Sequence, residues 1–409
     1  MLVVGAGPAG AELARLLALA GVDVLVVDRL ADLRQAAFSS AALPLDAVER
    51  YGLPPAVVAA RWSGWQLVGP GAQRRQWSSA QPLGAVLDFG ALRQWLADQA
   101  QGWGARLQLG VTALGWQPEG EGACTWVRDG RGGRRAIRSR WLVDASGESR
   151  ALIGEPSSCL DNPLVAGLGV EWLLQVSSDA YAAWADRLSF FLGSDWVQQG
   201  YGWVFPMGPG QLKLGVCRLL DGQRPQPPLG QELQALLRRS GLAGAVVVDR
   251  HGGRIRSTLR RREAHRQGPL IGLGDAVSTA NLLGGEGIRH ALASARVLAP
   301  LLVQALGDGG GQRGDGGQRG DGGQRHDPGT LLDRYPTLLR RELGWRWSLS
   351  GRLARRTWLG LADEQADRRL GRLLTGLQTN RAEDLSALLF DYRFERYGLK
   401  ALPYLLGWR

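Results

Sequence analysis

Leu2-Val3-Val4-Gly5-Ala6-Gly7-Pro8-Ala9-Gly10 is followed by the helical run Ala11 to Ala20, then by the apolar stretch Val22 to Val27, closed by Asp28. A strand, a Gly-x-Gly-x-x-Gly turn, a helix and a second strand with an acidic end make a complete βαβ dinucleotide fingerprint. Gly5 permits the tight turn out of the first strand, Gly7 lets the backbone approach a pyrophosphate, and Gly10 lets helix and strand pack closely. Pro8 and Ala9 open the helix whose N-terminus holds the phosphates. Asp28 is placed to accept hydrogen bonds from a ribose, which favours an unphosphorylated adenosine such as that of FAD or NAD.

The rest of the chain is long enough for two or three domains at 409 residues, and its 44% hydrophobic content suits globular packing. The net charge is +11, and Lys occurs only at positions 213 and 400, so the basic residues are nearly all Arg. The excess reads first as solvated surface; its functional reading is attraction to cofactor phosphates, a diphosphate substrate or an acidic membrane surface. No nucleic-acid-binding motif stands out, so nucleic acid is not expected as a partner. Cys124, Cys159 and Cys217 lack metal-ligand spacing, and with four scattered histidines they form neither a zinc cluster nor a disulfide framework; no metal is expected. A reducing cytoplasm fits. With a strand already starting at Leu2 and no apolar run of membrane-span length, the reading expects a cytoplasmic protein, soluble or peripheral to a membrane.

Outward from the fingerprint, the loop Phe38 to Leu45 is placed to approach the cofactor's reactive end, with a short helix over Leu45 to Tyr51. Leu92, Trp95, Leu96 and Ala100 mark a helix over Ala91 to Gln101. Arg106 to Leu114, Cys124 to Arg128 and Arg134 to Arg138 alternate like a β-meander, and Trp141 to Gly147 is a buried strand running into a glycine turn. From Val165 the texture changes to aromatic-rich strands over Val165 to Val176, Leu188 to Leu192, Gly200 to Pro206 and Gln211 to Arg218. A helix over Gly230 to Ser240 and a strand over Val246 to Asp249 follow. Leu270 to Ala276 then resumes the dinucleotide-domain texture, and Gly287 to Leu306 is a long helix.

Gly307 to Arg325 repeats Gly-Asp-Gly-Gly-Gln-Arg with no apolar residue to pack, which predicts a disordered linker and not a calcium-binding solenoid. Helices with interleaved Trp and Arg close the chain over Arg340 to Trp347, Gly351 to Leu361, Ala366 to Leu377 and Leu385 to Tyr397. They read either as a helical cap or as a surface that docks on lipid through Trp345, Trp347 and Trp358. The expected fold class is α/β. Residues 1–164 and 259–306 are expected to form a Rossmann-type dinucleotide-binding domain, an FAD-binding domain on the resemblance given next, around an inserted antiparallel-sheet substrate domain at 165–258, followed by a linker at 307–328 and a helical region at 329–409.

Gly274-Asp275-Ala276, followed by Asn281-Leu282-Leu283-Gly284-Gly285-Glu286-Gly287-Ile288, completes an ordered series with the fingerprint and with Asp144-Ala145-Ser146-Gly147. The series resembles FAD-dependent flavoproteins of the para-hydroxybenzoate hydroxylase fold. The resemblance implies that Asp275 contacts the FAD ribityl and that Gly285, Glu286, Gly287 and Ile288 lie at the pyrimidine edge of the flavin. Unpaired N–H groups and a positive helix end there would stabilise the negative charge of reduced flavin. Arg29, Ser40, Arg93, Gly147 and Gly274 complete the candidate cofactor set. Glu286 and His290 are the titratable residues nearest this helix, and neither is assigned the catalytic proton.

Tyr201-Gly202-Trp203-Val204-Phe205-Pro206, continued by Lys213-Leu214-Gly215-Val216, resembles the YxWxFP element of the geranylgeranyl reductase family, whose members use reduced FAD to saturate isoprenoid double bonds. The resemblance implies a lipid-substrate cavity at Tyr201, Trp203, Phe205 and Pro206. The alternation of the three aromatics puts them on one strand face, which could equally be core. Many members carry a cysteine and glycines where this chain has Ser39-Ser40-Ala41-Ala42, so that cysteine's proton-delivery role has no counterpart here. With a single Gly-x-Gly-x-x-Gly fingerprint, NAD(P)H is expected only as a transient electron donor, its phosphates attracted by Arg29 and Arg34. The leading expectation is an FAD-dependent reductase of a small apolar, isoprenoid substrate. The alternatives are a monooxygenase on the same fold, acting on an aromatic substrate, and a lycopene-cyclase-like flavoprotein without net redox change.

Overall fold

Short all-apolar runs in the sequence are explained by a sheet covered on both faces. In the computed structural model, which describes residues 1–35, 39–155, 164–222, 224–258, 263–307 and 328–395, Leu2–Val4 lies at the middle of a six-stranded sheet. Leu25–Asp28 and Arg106–Leu109 follow on one side; Leu142–Asp144, Leu270–Gly272 and Arg266–Gln267 follow on the other. All pairings are parallel except the last. The helices Pro8–Leu19 and Ile288–Gly307 bury Leu13, Leu17, Ala295, Leu298 and Leu302 in the same core as Leu2, Val3 and Leu142. Each such leucine contributes roughly 1.5–3 kcal/mol by leaving water.

The expected meander is shorter than its sequence pattern. Arg106–Leu109 pairs with Leu25–Asp28 as the edge of the parallel sheet, and the three-stranded meander begins only at Thr112–Glu119, continuing through Gly122–Arg128 and Arg134–Ser139. Gly110, at φ 69°, makes the turn that divides one run between two sheets.

The second large sheet has seven strands. Their order is Val246–Thr258, Leu164–Gln175, Gln211–Leu219, Gly200–Gly208, Arg187–Leu192, Gly64–Val68 and Arg74–Ser78. The sequence pattern did not single out the last two, which come from far upstream; Gly64–Val68 joins by pairing parallel to Arg187–Leu192. One face of this sheet is covered by the helix Leu229–Arg239 through Leu233 and Leu236. The other carries Tyr201, Trp203 and Phe205, packed with Trp62, Trp65 and residues of the C-terminal helices, among them Leu370, Leu374 and Phe390. A small sheet of Ala42–Pro44, Gly84–Leu87 and Val58–Trp62 lies between the two large ones in the chain's path.

The C-terminal helices are Tyr335–Gly360, Glu364–Gly376 and Ala382–Leu389, the first interrupted at Gly344 with φ 77° and ψ 166°. Asp363 caps the second by accepting from Ala366 N at 2.9 Å. Lipid docking through three tryptophans does not hold: Trp345 is 64% exposed, but Trp347 is 3% exposed and Trp358 packs at a tilt against Tyr201 with 4.9 Å between ring centroids. Residues 308–325 of the glycine repeat, Phe38 and Cys159 lie outside the described residues. Ile288–Gly307 is, by length and composition, apolar enough to cross a bilayer, yet 61% of it is buried in the fold, as for a core helix.

Candidate active site

Two glycine-rich turns and one acidic turn meet at the C-terminal ends of the inner strands of the parallel sheet. A side chain on Gly5 would overlap Ala145 O, and one on Gly10 would overlap Gly5 O, so the first turn closes directly onto the Asp144–Gly147 turn. Asp144 builds that second turn: its Oδ1 accepts from Ser146 N, and its Oδ2 from Leu152 N and Ile153 N at 2.8 Å each. Gly274 comes so near the first helix that a Cβ there would sit 2.8 Å from Ala9 Cβ. Leu273 N in turn bonds to Asp144 O at 2.9 Å. The fingerprint and the Gly-Asp pair, distant in sequence, are therefore adjacent.

Within this cradle Asp28 is already engaged. Its Oδ2 accepts from Ala6 N at 2.7 Å and its Oδ1 from Leu30 N at 2.8 Å, which pins the glycine turn to the second strand while leaving each oxygen one lone pair. Arg93 is 8% exposed, bonds to Gln35 O and lies in the field of Asp28 and Asp32; burial lowers its pKa. Arg29 is exposed. Asp275 accepts from Thr279 Oγ1 at 2.9 Å, and burial raises its carboxyl above the ordinary range.

The loop after Asp275 is closed by two backbone bonds, Asn281 N to Glu286 O at 2.8 Å and Glu286 N to Asn281 O at 3.1 Å. Among the described residues, the N–H groups of Gly285, Gly287 and Ile288 find no acceptor, and they stand at the start of a 20-residue helix. Such a cluster suits an anionic edge. Glu286 differs from the sequence-based expectation. Its N–H is spent on Asn281 and its carboxylate on Arg289 and on Tyr392 Oη at 2.7 Å, so it offers the loop neither group. His290 turns Nδ1 toward Glu286 O at 3.1 Å and sets its ring edge-on to Trp347.

The aromatic strand reaches this loop. Tyr201, Trp203 and Phe205 share one face and are 7%, 4% and 3% exposed, with Pro206 ending the alternation. The Tyr201 hydroxyl would be 3.6 Å from a Cβ on Gly285. Cross-strand from Tyr201 lies Cys217, whose thiol burial pushes up to about 12. The indole of Trp203 lies over Gly215, where any side chain would overlap it, and donates Nε1–H to Glu171 Oε2 at 2.9 Å. Phe205 packs edge-on against Phe190 at 5.2 Å.

Sequence reasoning missed the grip of the C-terminal helices on the same loop. Asn281 Nδ2 donates to Ser350 Oγ at 2.5 Å and to Trp347 O at 3.2 Å. Trp358 Nε1 lies 3.1 Å from Leu283 O and 3.2 Å from Leu282 O, and Arg289 reaches Phe390 O. The signal was present: Trp347 and Trp358 stand about three helical turns apart, hence on one face. Lys213, also unassigned, extends from the aromatic sheet to the Ser39–Ser40 loop.

Known proteins match this arrangement. Residues 1–43 match the family described as FAD binding domain. The digeranylgeranylglycerophospholipid reductase of Haloferax volcanii is 28% identical over 321 residues, covering 75% of this chain and 76% of the relative. A menaquinone reductase of Mycobacterium tuberculosis is 27% identical over 329 residues, covering 74% and 76%. A geranylgeranyl bacteriochlorophyll reductase-like protein from Thermoplasma acidophilum superposes with a TM-score of 0.77 over 97% of both chains at 20% identity. The chain is thus an FAD-dependent oxidoreductase of the para-hydroxybenzoate hydroxylase type of fold, similar in sequence to reductases of the geranylgeranyl reductase group.

Proposed function

We propose that this chain saturates a carbon–carbon double bond in an apolar, isoprenoid substrate with electrons from FAD. The observation that carries the proposal is the approach of Tyr201 to Gly285, which brings a buried aromatic face against a loop with open N–H groups. Gly7, where a side chain would meet nothing within 4 Å, leaves the mouth of the first helix open to a pyrophosphate. Gly5, Pro8, Ala9 and Gly10 shape that mouth; Asp28, Arg29, Ser40, Arg93 and Gly147 border it; Gly274 and Asp275 take the ribityl side. Bound FAD supplies a hydride donor and acceptor.

The protein's part is binding, orientation and electrostatics. The N–H groups of Gly285, Gly287 and Ile288, with the positive helix end behind them, stabilise negative charge on a reduced cofactor without a formal cation. Tyr201, Trp203, Phe205 and Pro206 hold the prenyl chain and exclude water from the reacting carbons. Glu171 fixes the indole of Trp203 through a single charge-assisted bond. NAD(P)H would reduce the cofactor by transient binding. An isoprenoid substrate is drawn from a lipid surface, for which Trp345 is the exposed contact that remains.

Anaerobic incubation of the chemically reduced protein with prenyl diphosphates, chlorophyll precursors and carotenes tests this reading through product mass. Gain of hydrogen alone is expected. Oxygen-dependent hydroxylation of an aromatic substrate, or isomerisation without mass change, would replace it with a hydroxylase or a cyclase.

A further inference from the structure

Lysine is scarce in this chain, yet Lys213 sits in the strand Gln211–Leu219 at 6% exposure. Its ammonium donates to three main-chain carbonyls: Ser39 O at 2.8 Å, Leu87 O at 3.3 Å and Ser40 O at 3.4 Å. Three N–H bonds therefore meet three acceptors from two separate segments. The residue after Ser40, Ala41, has φ 53° and is buried in one cluster with Ala11 of the first helix and with Ile288 and Leu292 of the helix after the glycine loop. The strapped loop thus runs past both helix starts that frame the cradle.

The carbonyls are neutral, so they solvate the charge without cancelling it. The nearest strong counter-charge is Glu171, 1% exposed and one strand away. Glu171 lies opposite Gly215 and shares its carboxylate with Trp203 Nε1, whereas Lys213 lies opposite Leu173 and Phe205. The pair stands on the sheet face that Tyr201 turns toward Gly285. An ammonium here is a cation in a low-dielectric region at the Phe205 end of the aromatic face, where burial works against its charge and the carboxylates of Glu171 and Asp88 support it.

We propose that Lys213 is a positioning residue for the cofactor, straddling the 39–41 loop and the aromatic sheet, and that its fixed charge biases the site toward reduced over oxidised FAD. The proposal rests on the FAD reading given above. It supplies the formal cation that the glycine loop lacks. The smaller carbonyl dipoles of Ser39, Ser40 and Leu87 hold the ammonium in place.

The test is an anaerobic titration of the full chain with FAD in both oxidation states, comparing wild type with Lys213→Met and Lys213→Gln. Both variants should lower the ratio of reduced to oxidised FAD affinity about tenfold, which for a two-electron couple is about 30 mV. Lys213→Gln keeps a donor for the loop carbonyls and carries the test if Lys213→Met fails to fold. A wild-type ratio in either folded variant overturns the proposal. Wild-type protein that binds no FAD would instead overturn the functional reading on which it rests.

Discussion

At Gly5 and Gly10 the protein itself leaves no room for a side chain, whereas at Gly7 between them and around Gly284–Gly287 it leaves room unused. A Cβ on Gly5 or Gly10 would overlap backbone oxygens, but one on Gly284 meets nothing within 4 Å. On Gly285 it meets only Tyr201 Oη at 3.6 Å, and on Gly287 its nearest neighbours are the Asp275 carboxylate oxygens at 3.4 and 3.8 Å and Ala280 Cβ at 3.8 Å. Gly5 and Gly10 are required because helix, strand and the Asp144 turn pack on one another. The Gly284–Gly287 loop keeps a surface bare for something the chain does not supply, so stability and cofactor affinity should respond to different glycines.

The comparison can be broken most sharply at Gly10. Gly10→Ala should cost about 3 kcal/mol through overlap with the Gly5 carbonyl, visible as a lowered thermal midpoint of the FAD-free protein. A normally stable variant would show that the packing argument is wrong. Next in size, Trp358→Phe removes the donor that serves Leu282 O and Leu283 O and should cost about 1–2 kcal/mol. Amide exchange over residues 282–287 should then accelerate while exchange at the Gly5 turn does not, separating the two loops in one measurement.

Gly284→Ala should leave FAD-free stability within about 0.5 kcal/mol. Its FAD affinity should fall roughly tenfold, about 1.4 kcal/mol, by fluorescence titration. Equal affinity would mean that the empty space serves no ligand. The smallest effect concerns Asp275. Burial raises its carboxyl pKa above 3.8, so the folded state binds the proton more tightly than the unfolded state, and stability declines as pH rises from that value through the folded one. Asp275→Asn removes this penalty. At pH 7 the FAD-free variant should melt about 1–2 °C higher, with the gain vanishing in acid.

Much of the cradle was legible because its parts are local. Leu2–Asp28 carries strand, turn, helix and acidic end in one stretch, and strands buried on both faces read as apolar runs. The alternation of Tyr201, Trp203 and Phe205 likewise survives in the structure as one buried face. What escaped depends on distant pairing. Gly64–Val68 is made a strand of the larger sheet by Arg187–Leu192, which no local pattern records. Arg106–Leu109 and Thr112–Glu119 share one alternation but belong to different sheets. Lys213, quoted only as part of the continuation of the aromatic element, gains a role when three carbonyls are found around its nitrogen. Trp347 and Trp358 read equally as helical cap or lipid contact until their partners on the glycine loop are seen.

That grip has a consequence for biosynthesis. The loop that ends at Gly287 is held by Ser350, Trp358, Phe390 and Tyr392, all far downstream of it in the chain. The fingerprint emerges well before those residues, so the bonds that fasten its distant counterpart form only after they have followed it. Such late, non-local closure is slow and exposes apolar surface in the meantime. The nascent protein therefore presents a dinucleotide turn long before it owns a finished flavin pocket, and chaperone protection would matter most in that interval.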